Sequence, residues 1–197
     1  MKRIKFDGMI VATFLTNLFY ASTYPYIHKI IMTEASDDLV AFNQIINCVT
    51  IVLFGSIWNK KSNSLFKFYP ILLTIEIICN VTLSLWVIFS NASNIVVYYM
   101  MDTLIFSIVT RNICCGYIKL KAARYRTEDA REQFDNNNNS ASAIATIIGS
   151  VIAMILELNF NTMLILATIG NIIDNIFYIC IFFKHQKSKE ENNHVKT

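Results

Sequence analysis

Six apolar stretches, each about 20 residues long, constrain the fold of this chain more than any other feature. A helix of that length spans the hydrocarbon core of a bilayer. With 54% hydrophobic and 16% charged residues, five glycines and two prolines, the composition favours long membrane helices over strands or an ordinary soluble domain. We therefore predict an all-α polytopic membrane protein with six transmembrane helices, at residues 8–32, 39–58, 69–90, 95–118, 141–158 and 162–183.

Lysine and arginine are concentrated in one set of connections. Segments 1–7, 59–68, 119–140 and 184–197 hold 15 of the 17 basic residues, and the three opposite connections hold none. By the positive-inside rule, both termini are predicted to be cytoplasmic, and we expect a bacterial plasma membrane. The net charge of +3 is then a topology signal and gives no support to a nucleic-acid partner.

The chain divides into a transmembrane domain over residues 1–183 and a polar tail over 184–197. The tail has mixed charge and few apolar residues, so it is predicted to be disordered in the cytoplasm. The lipid bilayer around the transmembrane domain is the first expected partner of the chain.

Small residues recur at every fourth position of the fifth predicted helix, at Ala141, Ala145, Gly149 and Ala153. Such a face lets two helix backbones approach closely in a membrane; a soluble helix with a small-residue face is the alternative. Thr127 is predicted to cap a helix that begins ahead of the membrane. The four asparagines at 136–139 are predicted at the headgroup level or along a polar crevice, with a disordered break as the alternative.

Polar side chains occupy one face of several predicted helices, and burial in lipid would leave them unsatisfied. The candidate substrate or ion path consists of Asn17, Tyr20, Tyr24, His28, Asn43, Asn47, Glu76, Asp102, Arg111 and Asp174. Ordinary hydrogen bonding between helices explains the first-helix residues equally well. A neutral structural role for Glu76 also stays open. Asp102 and Arg111 are nine residues apart, about 180° around a helix, so each needs a partner elsewhere.

Three features resemble one six-helix half of a major facilitator superfamily transporter. The first is six helices with both ends inside and a long basic connection. The second is the passage SIVTRNICCGYIKL followed by REQFDNNNNSASAIATIIGSVIA, which is similar to the family pattern at Arg111, Arg131, 136–139 and Gly149. The third is the turn GSIWNKKSNS, where Gly55 and Lys60 match a glycine-initiated charged motif in kind. Asn59, Ser62, Asn63 and Ser64 depart from that motif.

The resemblance implies transport of a small solute, drug-like compound or peptide by alternating access. Because family members contain two such halves, it also implies a parallel homodimer or a heterodimer with another six-helix half. Helices 3 and 6 are peripheral in the family, so the resemblance does not explain Glu76 and Asp174. The alternative is a non-transporting accessory or immunity-type protein that pairs with another membrane protein.

No enzymatic activity, cofactor or metal is expected. The sequence contains no phosphate-binding loop, no HExxH motif and no evident nucleophile–base set. All five cysteines lie inside apolar segments without zinc-like spacing, so they are predicted to pack as small apolar groups.

Overall fold

The fold is entirely helical over the part of the chain that the computed structural model describes, residues 7–34, 36–90, 95–105, 109, 111–156 and 159–194. Some side chains within these helices lie outside that description: those of residues 31, 34, 54–65, 95, 96, 111, 112, 115, 156 and 189–194. The described helices are α1 Gly8–Glu34, α2 Asp37–Leu65, a short 3-10 turn Phe66–Phe68, α3 Tyr69–Phe89, α4 Ile95–Ile105, α5 Arg111–Arg124, α6 Glu128–Leu156 and α7 Phe160–His194. The all-α prediction is therefore confirmed.

Three of these helical stretches are long and apolar enough to cross a membrane: Phe66–Phe89, Glu128–Ile155 and Phe160–Ser188. The predicted count of six helices is wrong, because residues 95–118 are described as parts of α4 and α5. α4 comprises 11 described residues, Ile95–Ile105. α5 continues beyond the predicted stretch and has the basic residues Lys121 and Arg124 in its last turn.

Two helices are longer than their apolar runs. α6 begins at Glu128, and the Ala130 backbone N–H donates to Thr127 Oγ1 at 3.3 Å, which confirms the predicted cap. The four asparagines at 136–139 lie inside this helix, so a disordered break there is wrong. α7 continues to His194, beyond the apolar run that ends at residue 183. Neither glycine nor proline occurs over 184–194, and extending an existing helix costs far less than nucleating one.

α1 packs between α6 and α7, and α7 also packs against α3. Two glycines, one in α6 and one in α7, allow these helices to approach α1 closely. A Cβ atom built on Gly149 would lie 2.5 Å from the Leu18 carbonyl oxygen, and one built on Gly170 would lie 2.5 Å from Phe19 Cβ. On the same face of α6, Ala145 and Ala153 are buried and Ala141 is half-buried. The small-residue face of α6 is thus the surface that contacts α1.

Two apolar clusters mark the two ends of the bundle. The first joins Met9 near the start of α1, Tyr69 at the start of α3, Leu120 near the end of α5 and Phe182 in the second half of α7. The second cluster joins the second half of α1 and the last turn of α3 to the first turns of α4 and α7, through Ile27, Val87, Tyr98, Met163 and Leu164. α7 therefore runs antiparallel to α1 and α3. The first end of the bundle therefore also holds the basic turn between α5 and α6.

That turn is fastened to the start of α1. Arg124 Nη2 lies 3.2 Å from Asp7 Oδ2, and the Tyr125 hydroxyl donates to the same oxygen. Arg131 Nε donates to the Tyr125 carbonyl oxygen at 2.8 Å. Burial, and then the bond to Asp7, raise the pKa of Tyr125 above its ordinary value. The neutral phenol therefore remains a hydrogen-bond donor throughout the physiological pH range.

Candidate functional site

A cavity of about 760 Å³ lies between the helices. α1, α2, α3, α4, α5 and α7 all contribute to its wall, and α6 contributes Asn138. Small-molecule pockets in proteins usually measure about 300 to 1,000 Å³, so the cavity has the size of a ligand site.

Eight of the ten candidate path residues line this cavity: Tyr20, Tyr24, His28, Asn43, Asn47, Glu76, Asp102 and Asp174. Asn17 is not among its lining residues, and its Nδ2 donates to the Thr13 carbonyl oxygen at 2.7 Å, one turn back in α1. Arg111 begins α5, and its side chain lies outside the described residues. The structure therefore brings together polar faces that are far apart in sequence.

A ladder of polar contacts, the α3–α7 polar seam, joins these two helices along one side of the cavity. Asn175 Nδ2 donates to Glu76 Oε2 at 3.0 Å, Asn80 Nδ2 to Asn171 Oδ1 at 3.4 Å, and the Ser84 and Thr168 hydroxyl oxygens are 2.7 Å apart. The α3 members are spaced by four, so they form one stripe facing an antiparallel partner. Glu76 is only 7% exposed, and its carboxyl is thus held inside the bundle.

The resemblance in sequence left the acidic residues of α3 and α7 unexplained. Both of them, Glu76 and Asp174, line the cavity wall. α1 is itself covered by α6 and α7. The acids are therefore turned inward within this chain.

Asn43 links α2 to α4 on another side of the cavity. Its side chain is 1% exposed, and its Nδ2 donates to Thr103 Oγ1 at 2.6 Å and to the Tyr99 carbonyl oxygen at 3.5 Å. With the amide nitrogen engaged, the Oδ1 atom has no hydrogen-bond partner among the described residues. An acceptor is thus held buried in the wall without a donor.

Asn43 is one of four such residues in the wall. Five buried side-chain atoms lack a partner within the described chain, and one of them, Ser90 Oγ, lies away from the cavity. The other four belong to lining residues: Asn43 Oδ1, Tyr69 Oη, Asn138 Oδ1 and Asp174 Oδ1. Leaving a buried polar atom unpaired costs about 1–3 kcal/mol, so water or a ligand is needed to satisfy it. The cavity wall is therefore suited to a polar occupant.

Aromatic rings form much of the remaining wall. Seven of the nine tyrosines line the cavity. On α1, the rings of Tyr20 and Tyr24 stack with centroids 4.5 Å apart, and the His28 ring follows at 5.8 Å. Tyr20 and Tyr24 are 52% and 40% exposed, which shows that the cavity opens along this face of α1.

The described lining residues include three carboxylic acids. Glu76, Asp102 and Asp174 project from α3, α4 and α7, and no lysine or arginine occurs among the described lining residues. Over the same described chain, no three His, Cys, Asp or Glu side chains come close enough together to hold a metal ion. The wall thus combines separated carboxyl groups, amide oxygens and phenols.

Sequence reasoning missed Tyr69, Thr103 and Asn138 as parts of this wall. Tyr69 begins a predicted helix and Thr103 follows Asp102, and neither belongs to a polar stripe with helical spacing. Asn138 lay within the run of asparagines, for which a polar crevice was one of the alternatives, and it does line the cavity. The four-residue run gave no sign of which member would face inward.

Long apolar helices around a polar cavity give this chain the character of a helical membrane protein. No protein-family model, curated protein or solved structure matches it. Function therefore has to be inferred from the cavity.

Proposed function

We propose that this chain is an integral membrane protein that binds a small solute in its central cavity and moves it across the membrane by alternating access. The cavity carries the proposal. Polar and ionisable groups at membrane depth are costly and usually belong to a substrate or ion path. Here three carboxyl groups from three helices line one ligand-sized space.

The membrane arrangement belongs to the same proposal. The three stretches Phe66–Phe89, Glu128–Ile155 and Phe160–Ser188 cross the membrane in this proposal. The basic α5–α6 turn lies at the same end of the bundle as the start of α1 and the second half of α7, which favours cytoplasmic termini in a bacterial plasma membrane. The sequence resemblance to half of a major facilitator superfamily protein supports the same proposal.

Pairing of two copies would complete the site. The most exposed lining residues are Tyr20, Tyr24, Gln44 and Cys114, from α1, α2 and α5. These residues mark the open side of the cavity. A second copy related by an axis along the membrane normal would cover that side without any change in topology. Another six-helix half would cover it equally well in a heterodimer.

A non-transporting accessory protein is the second candidate function. The α3–α7 polar seam favours it, because the carboxyl of Glu76 is satisfied by Asn175 in the way a structural residue would be. In this case another membrane protein would occupy the open side of the cavity. Binding of a partner without any solute flux would distinguish it from a transporter.

A flux screen with a cavity-filling variant tests the transport proposal. Purified protein is reconstituted into proteoliposomes and exposed to a panel of labelled small solutes of each charge. Ala167→Phe adds a ring to the cavity wall and should abolish the flux of any solute found, because it fills the binding space. Ala143→Phe makes the same change on an exposed face of α6 and should leave the flux unchanged. The proposal fails if correctly inserted protein carries no solute, or if both variants behave alike.

A further inference from the structure

We infer that the α3–α7 pair binds an anionic phospholipid at the first end of the bundle, with the phosphate held by Lys67 and Lys184 and the acyl chains along the outer faces of the two helices. This end also holds the start of α1 and the α5–α6 turn. Because the site lies outside the cavity, the inference holds whether or not the chain transports a solute. It requires only that α3 and α7 lie in a lipid bilayer.

A contact between aromatic rings joins the start of α3 to α7 at this end. The Phe66 ring meets the Phe182 ring edge to face with centroids 5.3 Å apart, and the Tyr69 ring lies 6.0 Å from the same Phe182 ring. Lys67 directly follows Phe66, and Lys184 is two residues beyond Phe182. Both lysines are exposed. Two positive charges from separate helical segments therefore flank one aromatic contact.

The sequence keeps acidic residues away from both lysines. None occurs between Asp38 and Glu76, or between Asp174 and Glu190. Glu190 follows Lys184 by six residues, which is about 9 Å along a helix axis. Neither lysine therefore has a carboxylate within one helical turn of its own segment.

Acidic residues elsewhere at this end are placed on another side of the bundle. The ion pairs of the described chain join Arg124 to Asp7 and Lys121 to Asp135, so neither pair uses the two lysines of the site. The remaining described acids of this end belong to α6, which packs against α1, and are Glu128, Asp129 and Glu132. The described chain thus supplies no anion to the two lysines.

The outer faces of both helices are apolar next to these lysines. On α3, Ile71, Ile75 and Ile78 recur at steps of four and three, and all three are exposed. On α7, Ile176 and Phe183 are exposed seven residues apart, so they lie on one face. The α3–α7 polar seam is turned the other way, toward the cavity. Exposed apolar surface of this kind marks a site of contact with a membrane.

An anionic phospholipid matches both parts of this surface. The lysine ammonium is a point charge that binds phosphate, and its methylene stem can lie along apolar surface while the charge reaches the headgroup. Basic sites between membrane helices bind anionic headgroups in this way. A zwitterionic headgroup adds a cation that opposes the two lysines, so a lipid with net negative charge is preferred.

Thermal unfolding of the full chain in mild detergent, followed by tryptophan fluorescence, tests this site without any transport step. The probes are phosphatidylglycerol, phosphatidylcholine with the same acyl chains, and glycerol 3-phosphate as the soluble headgroup. We expect phosphatidylglycerol to raise the midpoint temperature in a saturable way, at a mole fraction in the micelle about tenfold lower than phosphatidylcholine requires. Glycerol 3-phosphate should have no effect. Equal stabilisation by phosphatidylcholine would show that acyl chains alone suffice, and equal stabilisation by glycerol 3-phosphate would show a free-phosphate site; either result would overturn the inference.

Two variants locate the binding. Lys67→Gln and Lys184→Gln should each weaken the apparent affinity for phosphatidylglycerol about fivefold, the effect of one lysine near an anionic headgroup. Arg126→Gln removes the same charge from the exposed α5–α6 turn at the same end of the bundle and should leave the affinity unchanged. An equal loss in the Arg126→Gln protein would show attraction by the overall charge of this end, without a site. That result, or unchanged affinity in both lysine variants, would contradict the assignment.

Discussion

At the residue scale, two glycines determine how closely the helices of the bundle pack. Gly149 and Gly170 lie on either side of α1, and a single added carbon at either position would meet α1 at 2.5 Å. The four-residue spacing of small residues in α6 could be recognised from the sequence. Gly170 could not, because no comparable repeat surrounds it.

Gly149→Ala should destabilise the protein, although alanine favours helices by about 1 kcal/mol over glycine. The new Cβ would meet the backbone oxygen of Leu18, which cannot move aside as a flexible side chain would. We expect a loss of about 1–3 kcal/mol, as for other overpacked sites. Thermal unfolding in detergent measures it, with Ser150→Ala on the adjacent exposed position as the control. A Gly149→Ala protein as stable as the original would refute the close contact.

Glu76 is a second residue with a testable role. Glu76→Gln keeps an oxygen that can accept from Asn175. Glu76→Ala removes one of the two acceptors of this buried amide nitrogen and leaves only Asn171 Oδ1, at 3.1 Å. We expect Glu76→Ala to lower the free energy of unfolding by about 1–3 kcal/mol and Glu76→Gln to lower it much less. Chemical denaturation in detergent compares the two. Equal losses of unfolding free energy in the two variants would show that the hydrogen bond between Asn175 and Glu76 does not stabilise the protein.

At the element scale, the sequence predicted where apolar helices occur better than where helices end. The predicted stretch 69–90 agrees closely with α3, Tyr69–Phe89. An apolar run, however, predicts only the apolar part of a helix and not its polar ends. Because Thr127 caps it, α6 begins well before its apolar residues. Because no helix breaker follows, α7 continues beyond its apolar residues.

The α5–α6 turn should open when its tie to α1 is cut. Asp7→Asn removes the ion pair with Arg124 and weakens the bond from Tyr125. Because trypsin cleaves after arginine, Arg124 and Arg126 in this turn report its opening directly. We expect faster cleavage of the folded variant at these two sites, measured by mass spectrometry. Asp38→Asn, an exposed carboxylate at the start of α2, is the control and should not change the rate. Identical rates in both variants would show that the tie does not protect the turn.

At the scale of the whole molecule, polar periodicity predicted which faces turn inward but not which atoms meet. Tyr20, Tyr24 and His28 are at four-residue steps, and they share the cavity with Asn43 and Asn47 of α2. The pairing of Glu76 with Asn175 depends on how two distant helices are placed, and no local pattern encodes that placement. Asn17 shows the converse: a polar side chain can satisfy itself within its own helix.

The proposed pairing of two copies can be tested through Cys114, an exposed lining residue on the open side of the cavity. In a chain that retains only this cysteine, a short bis-maleimide should join two copies in native membranes and give a band of doubled mass. A chain that retains only Cys180, on α7, is the comparison. Crosslinking through Cys180 but not Cys114 would place the contact elsewhere, and a different partner mass would favour the accessory function.

The central claim is that the cavity is a path open in turn to each side of the membrane. Its most direct test is cysteine accessibility in sealed proteoliposomes, using Asn47→Cys in a chain without other cysteines and a membrane-impermeant maleimide. Asn47 lines the cavity, whereas Ser150→Cys on the exposed face of α6 is the control. We predict that the Asn47→Cys protein is labelled from outside and, with the reagent trapped inside, from within, while the Ser150→Cys protein is labelled from neither side. Labelling of the Asn47→Cys protein from only one side would contradict alternating access.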